Sequence, residues 1–308
     1  MPKLSYLSAT LMLLAASHGA QAVTVQFDYS LDSSNFFTNN ANSKSALEAA
    51  GQFFATNISD ALSAITSSGS NHFNAIFDNP STGQEVTLND YSVAADTLVV
   101  FVGASALPGG TLGEGGPGGF TASSPSQAFL DSIGNRGQVG ATTGAAATEF
   151  APWGGKLSFS STASWYFDAD PSTLESFAGQ NDFYSVALHE LSHLFGFGTA
   201  ASWTAKVSGG SFTGANASAA NGGSVALAGD NAHWLDGTQS VYAGSPQEAA
   251  MDPSLTQGTR KNLTTLDLAA LKDIGWQVAT PAPVPVPAAG WLFASALLGV
   301  FRLRRKSV

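Results

Sequence analysis

The segment Val186–Gly198, which reads VALHELSHLFGFG, constrains this chain more than any other feature of its sequence. Its apolar spacing predicts a helix over Phe183–Phe195. His189 and His193 are four positions apart, so they lie one turn above each other on one helical face and can converge on a single ion. Glu190 follows the first histidine, where its carboxylate reaches a metal-bound water rather than the metal. The chain is therefore expected to fold around this helix and to complete a metal site over it.

A catalytic zinc needs a third protein ligand besides His189 and His193, and one coordination position left open for water. Gly196 ends the predicted helix, and Thr199 occupies the position where a short-spaced motif would place a third histidine. The mature chain has two other histidines, His72 and His233, and nothing near His72 resembles a ligand motif. The residues alone also leave carboxylates open as the third donor, namely Asp230, Asp236 and Glu248.

Three further segments follow in a recognisable order. They are His233-Trp234, the run QEAAMDP over 247–253, and the run LDLAALKDIGW over 266–276. With the helix, this order resembles leishmanolysin-like metallopeptidases, which are metzincins with a long insertion before the third histidine. The resemblance implies that His233 is the third zinc ligand and that Met251 forms the turn beneath the metal. On physical grounds alone, Met251 is equally well explained as an ordinary core methionine.

The resemblance also implies a fold and a reaction. We expect one catalytic domain over residues 23–280, of α+β class, with a twisted mixed sheet packed on the active-site helix and an irregular C-terminal subdomain. The expected reaction is zinc-dependent hydrolysis of peptide bonds, with Glu190 as general base acting on a metal-bound water. A protein or peptide substrate would lie along an edge strand, contributed by residues 156–167 or by the Gly-rich segment before them.

Two alternatives remain open at this stage. The chain could be a non-catalytic extracellular matrix or cell-surface protein that retains a zincin fold, although a structural zinc site has no use for Glu190. Asp168 and Asp170 could bind a structural Ca²⁺, or they could form an Asx turn before Pro171, which we favour.

Local patterns predict the remaining elements. Strands are expected at 23–29, 85–88, 97–103, 156–160 and 164–167, the last two as a possible hairpin; helices at 45–65, 126–133 and 265–274; and irregular chain at 108–120 and 208–228.

Both termini resemble targeting segments. Residues 1–22 combine a basic start, an apolar stretch and Ala20-Gln21-Ala22, which predicts a signal peptide. Residues 281–308 contain a Pro-rich run, an apolar segment at 288–301 and a basic end, an order that resembles a bacterial PEP-CTERM sorting signal. This resemblance implies transient inner-membrane attachment, cleavage by an exosortase-type enzyme, and a final location outside the cell or at its surface.

Charge and cysteine content narrow the function further. Without Lys3 and the four basic tail residues, seven Lys and Arg face 22 Asp and Glu, so the mature net charge is about −15. Such a chain has no electrostatic footprint for nucleic acid, and we predict none as a partner. The absence of cysteine removes thiolates as metal ligands and disulfides as a source of stability.

Overall fold

The computed structural model describes residues 23–173 and 175–279. The predicted signal peptide, residue 280 and the predicted sorting tail lie outside these residues. The described part has the predicted α+β class, with several sheets and seven α-helices. None of the helices found in residues 23–173 and 175–279 has the length and apolar character needed to cross a bilayer.

The helices and strands are numbered in chain order. The α-helices are α1 Phe36–Asn39, α2 Ser43–Asn57, α3 Gln127–Gly134, α4 Phe183–Leu194, α5 Ala201–Thr204, α6 Ala215–Asn221 and α7 Thr265–Asp273. The strands are β1 Thr24–Asp28, β2 His72–Asp78, β3 Glu85–Leu88, β4 Thr97–Ser105, β5 Gly113–Pro117, β6 Gly119–Ser123, β7 Gly154–Ser160, β8 Trp165–Tyr166, β9 Asn181–Asp182, β10 Val207–Ser208, β11 Ser211–Phe212, β12 Val225–Ala226, β13 Gln239–Tyr242 and β14 Ser245–Glu248.

A four-stranded mixed sheet organises the domain, in the order β1-β4-β7-β5. Strands β1, β4 and β7 are parallel, and β5 is antiparallel to β7. The central strand β4 is apolar along its length because both of its faces are covered. Leu98, Val100 and Val102 join the core that contains α2 and α4. Val99 and Phe101 join a second core, beneath the smaller sheet β3-β2-β6.

The prediction of a mixed sheet packed on the helix that carries His189 and His193 is confirmed. Leu157 and Phe159 of β7 share the main core with Leu188 and Leu191 of α4. Helix α4 also runs beside β5, the strand that ends the sheet. Helix α4, which carries His189 and His193, therefore lies next to a sheet edge.

The prediction that residues 108–120 form no regular strand was wrong. Gly113–Pro117 pairs with β7, and Gly119 begins β6. Glycine weakens a strand, but it is suited to places where another chain segment approaches closely. A Cβ on Gly115 would lie 2.5 Å from the main-chain oxygen of Glu190, so the glycines allow β5 to approach α4.

The helix predicted at 45–65 is shorter than expected, because α2 ends at Asn57. Ile58 has an extended conformation and pairs with Val278 in an antiparallel bridge. The helix ends there because the main chain of Ile58 is used in that bridge. Leu62 and Ile65 are buried as predicted, but they enter two different cores from an extended segment. The apolar spacing continued beyond the helix without helical structure.

Two other predictions need correction. Residues 164–167 form no hairpin with β7, because β8 pairs in parallel with β9. The segment 208–228 is not irregular throughout, since it contains β11, α6 and β12. Helix α6 is held by Asp273, which accepts hydrogen bonds from the main-chain N–H groups of Asn216 and Ala217 at 2.9 and 2.8 Å.

Candidate metal centre

Helix α4 begins and ends at defined anchors. Asp182 is its N-cap, and the carboxylate accepts hydrogen bonds from the N–H and hydroxyl of Ser185 at 3.3 and 2.6 Å. Arg260 lies against the same carboxylate at 2.8 Å and against Asp168 at 2.7 Å, and all three side chains are buried. The N-terminal end of the helix is therefore tied to a distant loop.

The contacts at 168–170 have the pattern of the favoured alternative, an Asx turn before Pro171. The Asp168 carboxylate bonds to Arg260 and to the N–H of Asp170 at 2.8 Å, and that of Asp170 bonds to Ser172. This pattern is the Asx-turn alternative.

The C-terminal end of α4 turns through two glycines with positive φ, Gly196 at 98° and Gly198 at 73°. A Cβ on Gly198 would lie 2.5 Å from the main-chain oxygen of Ala232. Ala232 directly precedes His233, so Gly198 provides the space in which this loop reaches the helix. The close approach of Gly198 and Ala232 therefore connects the end of the helix with the predicted third ligand.

The structure brings His189, His193 and His233 together. The Nε2 atom of His233 lies 3.1 Å from that of His189 and 3.0 Å from that of His193, and the two helix histidines are 3.1 Å apart at the same atoms. Among the described residues, this trio is one of two groups whose possible ligand atoms lie close enough together to hold one metal ion. The sequence placed two of these rings on one helix; the tertiary fold adds the third.

The other ring nitrogens explain why these Nε2 atoms are available to a cation. Nδ1 of His189 lies 2.8 Å from the carbonyl oxygen of Ala250, and Nδ1 of His193 lies 2.8 Å from that of Phe197. A carbonyl oxygen only accepts, so each Nδ1 carries the proton and donates it. Nδ1 of His233 lies 2.7 Å from the Asp230 carboxylate. The Nε2 lone pairs of His189 and His193 therefore face Nε2 of His233.

The electrostatics of His189 and His193 favours the neutral form of these two rings. Burial lowers the pKa of His189 well below its ordinary value, and His193 and His233 lower it further. Burial likewise lowers the pKa of His193 to about 4, with His233 contributing next. Neutral imidazoles are the form that binds metal ions.

This donor set fits zinc. Zinc–nitrogen bonds of about 2.0–2.1 Å in a tetrahedral site place the nitrogens about 3.3 Å apart. The observed separations of 3.0–3.1 Å are close to that value. Three imidazoles and no thiolate are also the ligand set of a catalytic rather than a structural zinc site.

Glu190 is buried beneath the edge strand. Burial raises the pKa of Glu190 to about 8; Lys156 opposes the rise, Glu114 adds to it, and the main-chain amide of Gly115 opposes it. A Cβ on Gly113 would lie 2.7 Å from Cγ of Glu190. The carboxyl group therefore has its place because two positions of β5 lack side chains.

A cleft of about 520 Å³ runs over this centre. One wall is the segment 110–115, and the base carries the three histidines and Glu190. Asp252, Leu255 and Lys261 also line the cleft. Asp252 belongs to the run over 247–253, but no local motif marks Leu255 or Lys261, because only the fold brings them to the cleft.

The alternative third ligands are placed elsewhere. Asp230 bonds to His233 and so supports that ring rather than replacing it. Asp236 and Glu248 form the second acidic group together with Asp252. The ammonium of Lys261 lies 2.8 Å from Glu248 and 2.6 Å from Asp252, and it supplies the positive charge of that group.

Met251 and His72 are the two remaining residues that the sequence analysis considered. Met251 is fully buried, and its main-chain oxygen accepts a hydrogen bond from the N–H of Trp234 at 3.0 Å. His72 is at the surface on β2, with Nδ1 2.6 Å from the carboxylate of Asp90. His72, which does not belong to the trio, thus pairs with a carboxylate on the surface.

No protein-family model, curated protein or solved structure matches this chain. The resemblance to leishmanolysin-like metallopeptidases therefore depends on the sequence segments alone.

Proposed function

We propose that this protein is a zinc-dependent endopeptidase. The observation that carries the proposal is the convergence of three Nε2 atoms beside a buried glutamate in an open cleft, with each of the three rings held by a hydrogen bond at Nδ1. Neutral acceptors that face one another repel unless a cation lies between them. The metzincin-like fold belongs to the same proposal.

His189, His193 and His233 would hold the zinc, and Met251 would form the apolar base beneath it. When bound, zinc supplies Lewis acidity, which polarises a peptide carbonyl and makes water easier to deprotonate. Glu190 takes the proton from the attacking water and passes it to the nitrogen of the leaving amine. Burial raises the pKa of Glu190 in the metal-free protein, and a bound cation would lower it again toward neutral pH, where the carboxylate can accept and return a proton.

The substrate would bind along β5. Ser160 N–H donates to the oxygen of Leu112, and Gly118 N–H donates to the oxygen of Gly154. Because antiparallel pairing alternates, the main-chain groups of Gly113 and Gly115 face the free edge. An extended peptide can pair with the main-chain groups that remain free there, which exclude the Gly115 N–H because it donates to Glu190. Of the two predicted contributors, residues 156–160 lie inside the sheet, so we propose the Gly-rich segment.

The decisive experiment combines metal content with cleavage. The purified protein should contain about one zinc per chain and should cleave casein, and a chelator should remove both properties. Glu190→Gln should retain zinc and lose cleavage, because the ligands remain and the base is gone. His233→Ala should lose zinc and cleavage together, whereas His72→Ala, a histidine remote from the cleft, should lose neither. Full zinc occupancy in His233→Ala would contradict the assignment.

The alternative function is a non-catalytic matrix or cell-surface protein. The high acidity and the sorting-type tail favour it. This alternative predicts that the wild-type protein binds zinc but cleaves no casein, and that Glu190→Gln changes neither property. For either function we propose that the domain works outside the cytoplasm, after export and processing by an exosortase-type enzyme, as the terminal segments predict.

A further inference from the structure

Asp267 lies one layer beneath the metal centre, in the first turn of α7, and its side chain is fully buried. Its Oδ1 accepts hydrogen bonds from the indole Nε1 of Trp234 at 2.8 Å and from the N–H of Met251 at 3.4 Å. Its Oδ2 accepts from the N–H of Ala250 at 3.1 Å, and from the N–H and hydroxyl of Thr264 at 2.7 and 2.8 Å. One carboxylate thus joins three separate chain segments.

Two of these contacts lead directly to predicted zinc ligands. Ala250 donates its N–H to Asp267, and its carbonyl oxygen accepts the proton of His189 Nδ1 at 2.8 Å. Trp234 follows His233 in the chain, and its indole is fully buried. The position of Trp234 therefore sets where the main chain of His233 enters the cleft.

We propose that Asp267 is a positioning residue for the metal centre, which holds the acceptor of His189 and the indole anchor of His233 in register. The inference rests on the proposed zinc site, and it extends that site to a residue that touches neither the metal nor the substrate. His193 has a different acceptor, the oxygen of Phe197 on the same segment of chain, which is not held by a hydrogen bond from Asp267.

The contacts require a carboxylate rather than an amide. Both oxygens accept hydrogen bonds, and every partner is a donor. Asparagine offers a single acceptor oxygen, and its NH₂ group would face N–H donors on the other side. Asp267→Asn therefore releases either the indole and Met251, or Ala250 and Thr264.

Asp273 provides a matched control. It lies at the last position of the same helix, is buried, and accepts three hydrogen bonds from Asn216 and Ala217, at 2.9, 2.7 and 2.8 Å. Those donors belong to α6, away from the histidines. Asp273→Asn thus tests the general cost of replacing a buried carboxylate on α7.

The experiment compares three proteins, the wild type, Asp267→Asn and Asp273→Asn. Zinc affinity is measured by competition with a chromophoric chelator, and the melting temperature of the metal-free protein by circular dichroism. We expect both variants to lower the metal-free melting temperature, and Asp267→Asn alone to weaken zinc binding, by about 10–100-fold. The absorption spectrum of the Co²⁺-substituted protein should change in Asp267→Asn and not in Asp273→Asn, because only the former alters ligand geometry.

The outcomes separate this inference from the proposed function. Zinc affinities within twofold for wild type and Asp267→Asn, with an unchanged cobalt spectrum, overturn the role of Asp267 and leave the zinc site intact. A wild type that binds no zinc overturns both. If Asp267→Asn does not fold, Trp234→Phe removes the indole donor and retains an aromatic ring. That variant is then expected to weaken zinc binding, and unchanged affinity overturns the role.

Discussion

Asp230 offers the most direct test of how the third histidine is oriented. Its Oδ2 lies 2.7 Å from Nδ1 of His233, and its Oδ1 accepts from the N–H groups of Ala232 at 2.8 Å and His233 at 3.3 Å. Burial alone would raise the pKa of Asp230, but these hydrogen bonds lower it overall. His189 and His193 donate to main-chain oxygens instead, so Asp230 is the orienting group that a substitution can remove.

The magnitude follows from these contacts. Removing a partner of a metal-bound histidine costs about 10–100-fold in metal affinity, or about 1.4–2.7 kcal/mol. Half of the Asp230 side chain is exposed to solvent, which screens its charge and places the charge effect near the lower limit. Asp230→Asn keeps an acceptor of the same shape, so we expect zinc affinity to fall by no more than about tenfold. Asp230→Ala also removes the turn contacts, and a loss of about 10–100-fold is expected.

The assay is zinc competition with a chromophoric chelator at fixed pH and ionic strength. Asp236→Asn is the matched control, because that carboxylate flanks His233 in sequence but bonds to the hydroxyl of Ser254 at 2.6 Å. The control should leave zinc affinity unchanged. Unchanged affinity in Asp230→Ala, or an equal loss in Asp236→Asn, would refute the reasoning.

Four further predictions concern other parts of the molecule. Gly115→Ala should cost about 1–3 kcal/mol of stability and reduce casein cleavage, because its Cβ would lie 2.5 Å from the main-chain oxygen of Glu190. Arg136→Met should lower the free energy of unfolding by about 3 kcal/mol or more, because the buried guanidinium donates to four carbonyl oxygens at 2.9–3.1 Å. Asp60→Asn should flatten the pH dependence of stability. Burial raises the pKa of Asp60, so the folded state holds more protons than the unfolded chain, and stability falls as pH rises from the ordinary Asp range through the raised pKa. Zinc at 100 times its dissociation constant should stabilise the wild type by about 2.7 kcal/mol.

Each of these has a measurement that decides it. For Gly115→Ala the control is Gly116→Ala, whose Cβ meets nothing within 4 Å, and equal effects of both variants on cleavage would argue against the close contact with Glu190. Arg136→Met is measured by urea unfolding, and a loss below about 1 kcal/mol contradicts it. Urea unfolding between pH 4 and 7 checks Asp60→Asn, for which a slope equal to that of the wild type is the contrary result. Melting curves with and without zinc test the last prediction, which fails if they coincide.

The interior elements with strong local patterns were predicted well. Strand β3 has the predicted limits, and α3 and α7 begin within one residue of the predicted positions. These segments carry their own signals, such as Ser126 as the N-cap of α3 and the capping box of Thr264 and Asp267 on α7. The local pattern continued past the true end of α2 at Ile58, and the prediction failed there because Ile58 pairs with Val278 in an isolated bridge instead of continuing the helix.

The Gly-rich strand β5 shows a different kind of failure. Its residues have low intrinsic preference for a strand, so no local rule predicts one. Pairing with β7 and the space that Glu190 occupies select glycine at Gly113 and Gly115. The alternate glycines Gly113 and Gly115 were the available signal, but their meaning depends on knowing that α4 lies against them.

By itself, the sequence determined one face of the metal centre, because a helix places His189 and His193 together and Glu190 beside them through local geometry alone. The tertiary structure decided the remainder. His233 is 40 residues beyond His193, and its ring reaches the helix only because the loop packs against Gly198 and Trp234 is held from α7. Helical periodicity relates residues that are one turn apart. The approach of residues 40 positions apart depends instead on which buried groups form hydrogen bonds with each other, and no local sequence pattern specifies those contacts.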